Sequence, residues 1–127
     1  MRYGISTTLD LPFEAAIEKV TAELKNEGFG VLTTIDVKET LQKKLGVDFQ
    51  KYVILGACNP PFAHKALQTE EEIGLLLPCN VIVYEKGGKT VVSAFDPMAM
   101  MAVVEKESIR GVAEEVGQRL RRVIDRM

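Results

Sequence analysis

The feature that most constrains the fold is a pair of short apolar runs joined by two glycines. Residues 79–85 and 90–95 are rich in β-branched side chains, and Gly87-Gly88 lies between them. Glycines between two such runs are typical of a tight β-hairpin, because hairpin turns need residues with a positive φ. The two strands are therefore antiparallel, and the sheet that contains them cannot be wholly parallel.

Strands and helices alternate along the rest of the chain. Period-two alternation predicts a strand at residues 2–9, and apolar residues at helical spacing predict a helix between Pro12 and Gly28. Asp36 and Glu39 have the spacing of a capping box and begin a second, small helix. The further predicted elements are, in order, a strand at 31–35, that helix at 37–45, a strand at 52–58, a helix that begins at Pro60 and ends or kinks at glutamates 70–72, the two hairpin strands, and a helix from about 107 to 126.

This order, β-α-β-α-β-α-β-β-α, predicts a two-layer α+β fold. Helices would pack on one face of a mixed, mainly antiparallel sheet. The chain has 127 residues, with no repeat, low-complexity segment or linker, which predicts a single domain over residues 1–127. The near-continuous apolar run at residues 52–58 predicts a strand that is buried on both faces.

Charge and hydropathy exclude several classes of partner. Sixteen basic residues against 18 acidic ones give a formal net charge of −2, so no strong positive field attracts nucleic acid or an anionic membrane. No apolar run approaches the ~18 residues that would cross a bilayer. The first residues lack the apolar stretch of a signal peptide, which predicts a cytoplasmic protein whose thiols stay reduced.

Reactive side chains are concentrated at residues 55–64 and 77–80. These two segments hold both cysteines, the only histidine and three of the five prolines. Cys58 ends a strand beside the N-terminus of the helix that begins at Pro60, and a helix N-terminus lowers the pKa of a thiol. Asn59 is in the position to cap that helix, and His64 lies one turn into it.

Three functions are compatible with this arrangement. The first is a homodimeric sensing module that binds a small ligand or a metal ion near the Cys58-Asn59-Pro60 turn. The second is a thiol-dependent enzyme with Cys58 as nucleophile and His64 as base. The third is an interaction protein that dimerises through its last helix. The candidate ligand or metal-binding residues are Cys58, Asn59, His64, Cys79 and Asn80.

The simpler interpretation is structural, because cysteine is among the most buried residue types. The metal pattern is also weak, since the spacing Cys-x5-His with a second cysteine fifteen residues later contains no Cys-x2-Cys pair. Geometry separates these interpretations. If the strands that hold Cys58 and Cys79 are parallel, the cysteines lie at opposite edges, about 20 Å apart. If the strands are antiparallel, both cysteines reach the same edge.

The last helix has a heptad-like seam. Its apolar positions follow steps of four and three residues, which is the spacing of a coiled-coil face. This face either covers the sheet or is shared with a second copy of the chain. The dimer-interface candidates are Ile109, Val116, Leu120 and Val123.

Several of these motifs together resemble a known family. They are residues 54–61 (ILGACNPP), residues 73–81 (IGLLLPCNV), and the opening segments 12–16 (PFEAA) and 28–32 (GFGVL). The chain resembles the domain of unknown function 302 family over essentially its whole length. The resemblance implies a small α+β domain with a TATA-binding-protein-like arrangement of sheet and helices, and it implies dimers. It implies no activity, so no catalytic residue carries over.

Overall fold

Five strands and four α-helices form the chain in a computed structural model that describes residues 3–127. The strands are β1 (Gly4–Leu9), β2 (Gly30–Asp36), β3 (Tyr52–Cys58), β4 (Cys79–Lys86) and β5 (Lys89–Phe95). The helices are α1 (Phe13–Asn26), α2 (Val37–Leu45), α3 (Pro60–Thr69) and α4 (Glu107–Asp125). Two 3₁₀ helices, the first at Glu71–Leu76 and the second at Pro97–Ala102, precede β4 and α4. No helix within residues 3–127 is long and apolar enough to span a membrane.

The strands form one sheet in the order β1-β5-β4-β3-β2. The two-layer α+β class is therefore confirmed, but the sheet is not mixed, because all four pairings are antiparallel. The reason lies in the connection from β3 to β4. Helix α3 ends at Thr69, and the first 3₁₀ helix brings the chain back to the end of the sheet where β3 finished. Gly87 and Gly88 both have positive φ and form the predicted hairpin turn.

The hydrophobic core lies between one face of the sheet and helices α1, α3 and α4. Every second residue of β3, β4 and β5 is buried there, as the side-chain alternation of a strand requires. The largest fully buried aliphatic side chains include Leu24, Leu55, Ile73, Ile109 and Leu120. In contrast, α2 contributes no buried side chain, although Asp36 caps it as predicted by accepting a hydrogen bond from the Glu39 N–H at 3.0 Å.

Among residues 3–127, no layer of helices covers the opposite face of the sheet. Tyr52 and Ile54 of β3 are only half-buried there, so β3 is not the doubly buried strand that its apolar run predicted. Tyr52 stacks on Tyr84 of β4, with ring centroids 5.2 Å apart and an interplanar angle of 10°. The apolar character of β3 thus serves the core on one face and an open sheet surface on the other.

A close contact on this open face requires glycine at position 56. A methyl group at Gly56 would overlap Oγ1 of Thr33 on β2, and it would lie 3.0 Å from Cγ of Pro78. Gly30, on the neighbouring strand, has no atom within 4 Å of the equivalent position. The two strand glycines can therefore be compared directly, because a side chain at position 56 would meet neighbouring atoms and one at position 30 would not.

We expect Gly56→Ala to destabilise the fold by about 1–3 kcal/mol, because the added methyl group forces the Thr33 side chain and Pro78 apart. Gly30→Ala is the control and should change the free energy of unfolding by less than about 0.5 kcal/mol. Urea unfolding followed by circular dichroism measures both. Equal stability of the two variants would contradict the close packing around Gly56.

Candidate functional site

Both cysteines lie at the same edge of the sheet, that is, at the border formed by the end of β3 and the start of β4. Because β3 and β4 are antiparallel and Ala57 pairs with Cys79, the end of β3 and the start of β4 are neighbours. Cys58 lies close enough to make a small contribution to the raised pKa of the Cys79 thiol at this edge. Of the two geometries compatible with the sequence, the chain adopts the one in which the cysteines come together.

An apolar cavity of about 50 Å³ lies behind this edge. Helices α3 and α4 and both 3₁₀ helices complete its wall, and no charged side chain lines it. The lining residues are Phe29, Ala57, Cys58, Asn59, Phe62, Ala63, Ala66, Ile73, Leu77, Cys79, Pro97, Met100, Ile109, Val112, Ala113 and Val116. Alanines on the facing sides of α3 and α4 leave the space that larger side chains would fill.

Asn59 has a different role from the one predicted. It stands at the N-cap position of α3, but its side chain makes no capping hydrogen bond. Instead the buried Asn59 amide donates from Nδ2 to the backbone carbonyl of Glu27, at 3.3 Å. Carbonyl groups at the C-terminal end of a helix lack intrahelical partners, so this bond satisfies one of them. Asn59 therefore ties the turn after β3 to the end of α1.

Glu27 links the same point to α4. Its buried carboxylate accepts hydrogen bonds from Arg122 at 2.9 Å and from Arg126 at 2.7 Å. The bonds from Arg122, reinforced by Arg126, hold the pKa of the Glu27 carboxyl below its usual value, although burial acts in the opposite direction. The carboxylate is thus ionised at neutral pH and clamps α1 against α4 beside the cavity.

Arg119 covers one wall of the cavity. Its guanidinium carbon lies 5.2 Å from the centroid of the Phe62 ring, within the range of a cation–π contact. Its Nη1 donates to the Glu27 carbonyl at 3.0 Å, and its Nε donates to Glu115 at 3.1 Å. Phe62 is therefore held between an apolar cavity on one side and a fixed cation on the other.

Three of the five predicted site residues meet at this cavity. Cys58, Asn59 and Cys79 line it, whereas His64 is exposed on α3 and is not among the lining residues. Asn80 pairs with Gly56 and is exposed on the open face of the sheet, opposite to Cys79. Neighbours in a strand point to opposite faces, so Cys79 and Asn80 cannot share one site.

Sequence reasoning missed the part of the cavity wall that comes from distant segments. Ile73 and Met100 lie in the two 3₁₀ helices, and Val112 lies on α4. Their apolar character was visible, but nothing local relates them to Cys58. A usable signal was the small side chains Ala63 and Ala66 on the inner face of α3, which predict a face that packs closely or leaves a space.

No metal centre forms from the predicted ligands. Within residues 3–127, no group of three or more His, Cys, Asp or Glu side chains is placed to hold a metal ion. His64 is exposed on α3 and does not line the cavity beside the cysteines. A structural zinc site takes four ligands, and only the two cysteines are brought to this edge.

The four dimer-interface candidates on α4 belong to the core. Ile109, Leu120 and Val123 are fully buried and Val116 is 6% exposed within a single chain. Their seam therefore covers the sheet, which was the structural interpretation of the heptad spacing. A partner cannot contact these side chains unless the core opens.

The comparisons agree with this fold. The family model for the domain of unknown function DUF302 matches residues 5–127. The chain belongs to the DUF302 family. A crystal structure of an uncharacterised conserved DUF302 protein from Bacillus stearothermophilus is similar, with a TM-score of 0.92 and 31% sequence identity. The match covers 99% of this chain and 98% of the other. Among curated proteins, no sequence matches.

The second thiol of this DUF302 chain, Cys79, is buried. Burial, with a smaller contribution from Cys58, raises the pKa of the Cys79 thiol to about 11. Because the thiolate is the nucleophile and metal ligand, a protonated Cys79 serves neither role at neutral pH. Cys79 acts at the cavity as a small apolar side chain.

We expect iodoacetamide to leave Cys79 unmodified in the native protein near pH 7.5, where a pKa of about 11 leaves roughly one thiol in 3,000 ionised. Unfolding in guanidinium should make both cysteines react. Peptide mass spectrometry after timed alkylation measures each site, with Cys58→Ser as the control that isolates Cys79. Alkylation of native Cys79 at the rate of an exposed thiol would contradict its burial.

Proposed function

We propose that this DUF302 protein is a homodimeric binding module that holds a small apolar molecule, or the apolar end of a larger one. The observation that carries the proposal is the cavity beside the Cys58-Asn59-Pro60 turn, which is apolar and has Cys58 and Cys79 among its lining residues. An apolar pocket with few polar groups is the usual form of a small-molecule site. The chain would act as one domain, and its two free thiols suit a reducing compartment such as the cytoplasm.

The lining chemistry favours an apolar ligand over a metal ion or a covalent substrate. The Asn59 amide is already engaged with the Glu27 carbonyl, and the thiols are weak hydrogen-bonding groups. Apolar cavities of this kind stay dry and accept apolar guests. Cys58 has no base beside it in the cavity, because His64 is not a lining residue. The thiol-enzyme alternative therefore has less support than ligand binding.

The wall of the cavity also favours a response to binding. Its 3₁₀ helices, at Glu71–Leu76 and Pro97–Ala102, have poorer hydrogen-bond geometry than an α-helix and open at lower cost. A volume of about 50 Å³ holds only a few heavy atoms, so a larger ligand requires displacement of these segments. Displacement of a surface segment by a buried ligand is a means of sensing that ligand.

Xenon is a suitable probe, because it is small, apolar and binds dry cavities. We expect dissolved xenon to shift the amide resonances of cavity-lining residues in a saturable manner. Ala66→Val should lower the xenon affinity at least about tenfold, because the added methyl groups occupy the cavity, and it should stabilise the fold by up to about 1 kcal/mol. NMR titration and thermal unfolding measure these effects.

Ala22→Val is the matched control, because Ala22 is exposed on α1 and lies outside the cavity. A second filling variant, Ala63→Val, guards against a packing defect at position 66. The proposed site is rejected if xenon has no effect on the native protein. It is also rejected if both filling variants bind xenon as well as Ala22→Val does.

The open face of the sheet is the surface that best suits a second copy of the chain. Directly paired residues share a face, which places uncharged side chains across all five strands. They are Gly4, Ser6, Thr8, Thr33, Ile35, Tyr52, Ile54, Gly56, Asn80, Ile82, Tyr84, Val91, Ser93 and Phe95. The charged pair Lys86 and Lys89 continues the same face at its hairpin end. A soluble monomer rarely leaves such a continuous uncharged face in water.

The area of this face is close to what a dimer needs. Five strands at about 4.8 Å spacing and about 20 Å in length cover roughly 500 Å² before side-chain relief is counted. Exposed side chains at its margins, Tyr3 and Phe49, extend it. A typical stable interface buries about 800 Å² on each partner. The face and its margins together approach that value, whereas the buried seam of α4 offers no such surface.

We expect Ile82→Lys and, separately, Ile54→Lys to give folded monomers, because either change places an unpaired charge in the centre of the interface. The dissociation constant should rise roughly 100-fold. Sedimentation velocity measures assembly, and circular dichroism checks folding. The control Gln118→Lys, on the exposed side of α4, should leave the dimer intact.

A charged residue at Val116 should have a different effect, because that side chain is buried in the core. Val116→Lys should unfold the chain instead of separating two folded copies. Dimers that persist in both open-face variants, or a wild-type chain that is monomeric, would exclude the open face as the interface.

A further inference from the structure

A second concave surface lies apart from the cavity and from the open sheet face. It is a groove of about 460 Å³ between the first 3₁₀ helix and residues 103–106, which we name the 3₁₀ groove. Its floor includes Ile73, and its walls include Leu75, Val103, Glu72 and Glu105. The first 3₁₀ helix borders both this groove and the cavity, but its Glu72 and Leu75 side chains line only the groove.

The groove contains the two most exposed large aliphatic side chains of residues 3–127. Leu75 is 83% exposed and Val103 is 70% exposed, the two highest values among the large aliphatic side chains. Single exposed aliphatic residues are common on protein surfaces, but two that line one concavity form a patch. Apolar side chains that line a groove commonly supply the energetic anchors of an interface.

The rim of the groove is acidic. Glu72 and Glu105 have no ion-pair partner within residues 3–127. The one cation at the rim, Lys106, is already engaged, because its Nζ lies 3.3 Å from the Glu70 carboxylate and 3.1 Å from the Thr69 carbonyl. The net charge presented to a partner is therefore negative.

Lys106 also fixes the two walls of the groove relative to each other. It belongs to the 103–106 wall, while Thr69 and Glu70 lead into the opposite wall. The backbone N–H of Glu72 and the Lys106 ammonium both lower the pKa of the Glu70 carboxyl, so this bridge is ionised at neutral pH. The groove is thus a formed concavity and not a gap between unconnected loops.

We propose that the 3₁₀ groove docks a segment of a partner protein in which an aliphatic residue is flanked by lysines or arginines. The aliphatic side chain would lie on Leu75 and Val103, and the basic side chains would pair with Glu72 and Glu105. Charge complementarity selects this occupant, since an acidic rim attracts a basic segment and repels nucleic-acid phosphates and anionic lipids. The proposal does not depend on a ligand in the cavity.

The test uses a short fluorescein-labelled peptide of alternating lysine and leucine residues, titrated with the full-length protein and followed by fluorescence anisotropy. Leu75→Ser should weaken binding at least about tenfold, because it removes the apolar anchor. Glu105→Gln should weaken it less, and higher salt should weaken it further, because rim charges act mainly through screened attraction. Ile73 is not a useful site for substitution, because it also lines the cavity.

Two variants control for general effects of the substitutions. Leu32→Ser removes an aliphatic side chain of similar exposure, 67%, on β2 and away from the groove. Glu114→Gln removes a carboxylate from the exposed side of α4. Both should bind the peptide like the unaltered protein. A peptide with its lysines replaced by glutamates should not bind.

Three results would overturn the proposal. The first is an absence of peptide binding by the unaltered protein. The second is equal binding by Leu75→Ser and Leu32→Ser, which would show that the peptide does not use the groove. The third is a loss of self-association in Leu75→Ser by sedimentation velocity, which would assign the groove to contact between copies of this chain.

Discussion

The antiparallel pairing of β3 with β4 is the constraint on which the rest of this structure depends. It places Cys58 and Cys79 at one edge of the sheet. Asn80 lies on the face opposite Cys79, because neighbouring residues of a strand alternate between faces. Because the chain must return to the end where β3 finished, α3 and the first 3₁₀ helix fold back over that edge. The cavity is the space between this fold-back and α4. One strand pairing therefore decides which predicted residues meet and which remain apart.

The hydrogen-bonded cluster around Glu27 stabilises the packing of α1 and α4 beside the cavity. The carbonyl of Glu27 accepts a hydrogen bond from Asn59, and its carboxylate accepts hydrogen bonds from Arg122 and Arg126. The end of α1, the turn after β3 and the last helix therefore meet at this residue. A buried carboxylate is tolerated only when it is paired and hydrogen-bonded. The arginines of α4 therefore have a structural role, although on the sequence they are an ordinary charged helix face. The seam on the other side of α4 is buried against the sheet.

Local patterns predicted most elements of the fold to within a few residues. The hairpin at Gly87-Gly88 and the cap at Asp36 depend on interactions within a few residues, so their signals are complete in the sequence. The strand Tyr52–Cys58 was marked by its own apolar run, although its pairing partners are distant. Predictions that needed a distant partner were less accurate. Asn59 occupies a cap position, but its amide donates a hydrogen bond to the carbonyl of Glu27, which is distant in the sequence. The apolar run of β3 predicted burial on both faces, but one of its faces is open in the single chain.

By itself, the sequence of this DUF302 protein determined the order of its elements, the presence of antiparallel strands and the segments that hold its thiols. Backbone preference, capping and side-chain periodicity depend on residues that are close in the sequence, so they can be predicted from it directly. Only the tertiary structure decided that the residues Cys58 and Cys79 both line one apolar cavity and that His64 and Asn80 lie elsewhere. It also decided that the α4 seam is core. The physical reason is that burial and facing depend on which distant strands and helices pack together, and no local pattern encodes those partners.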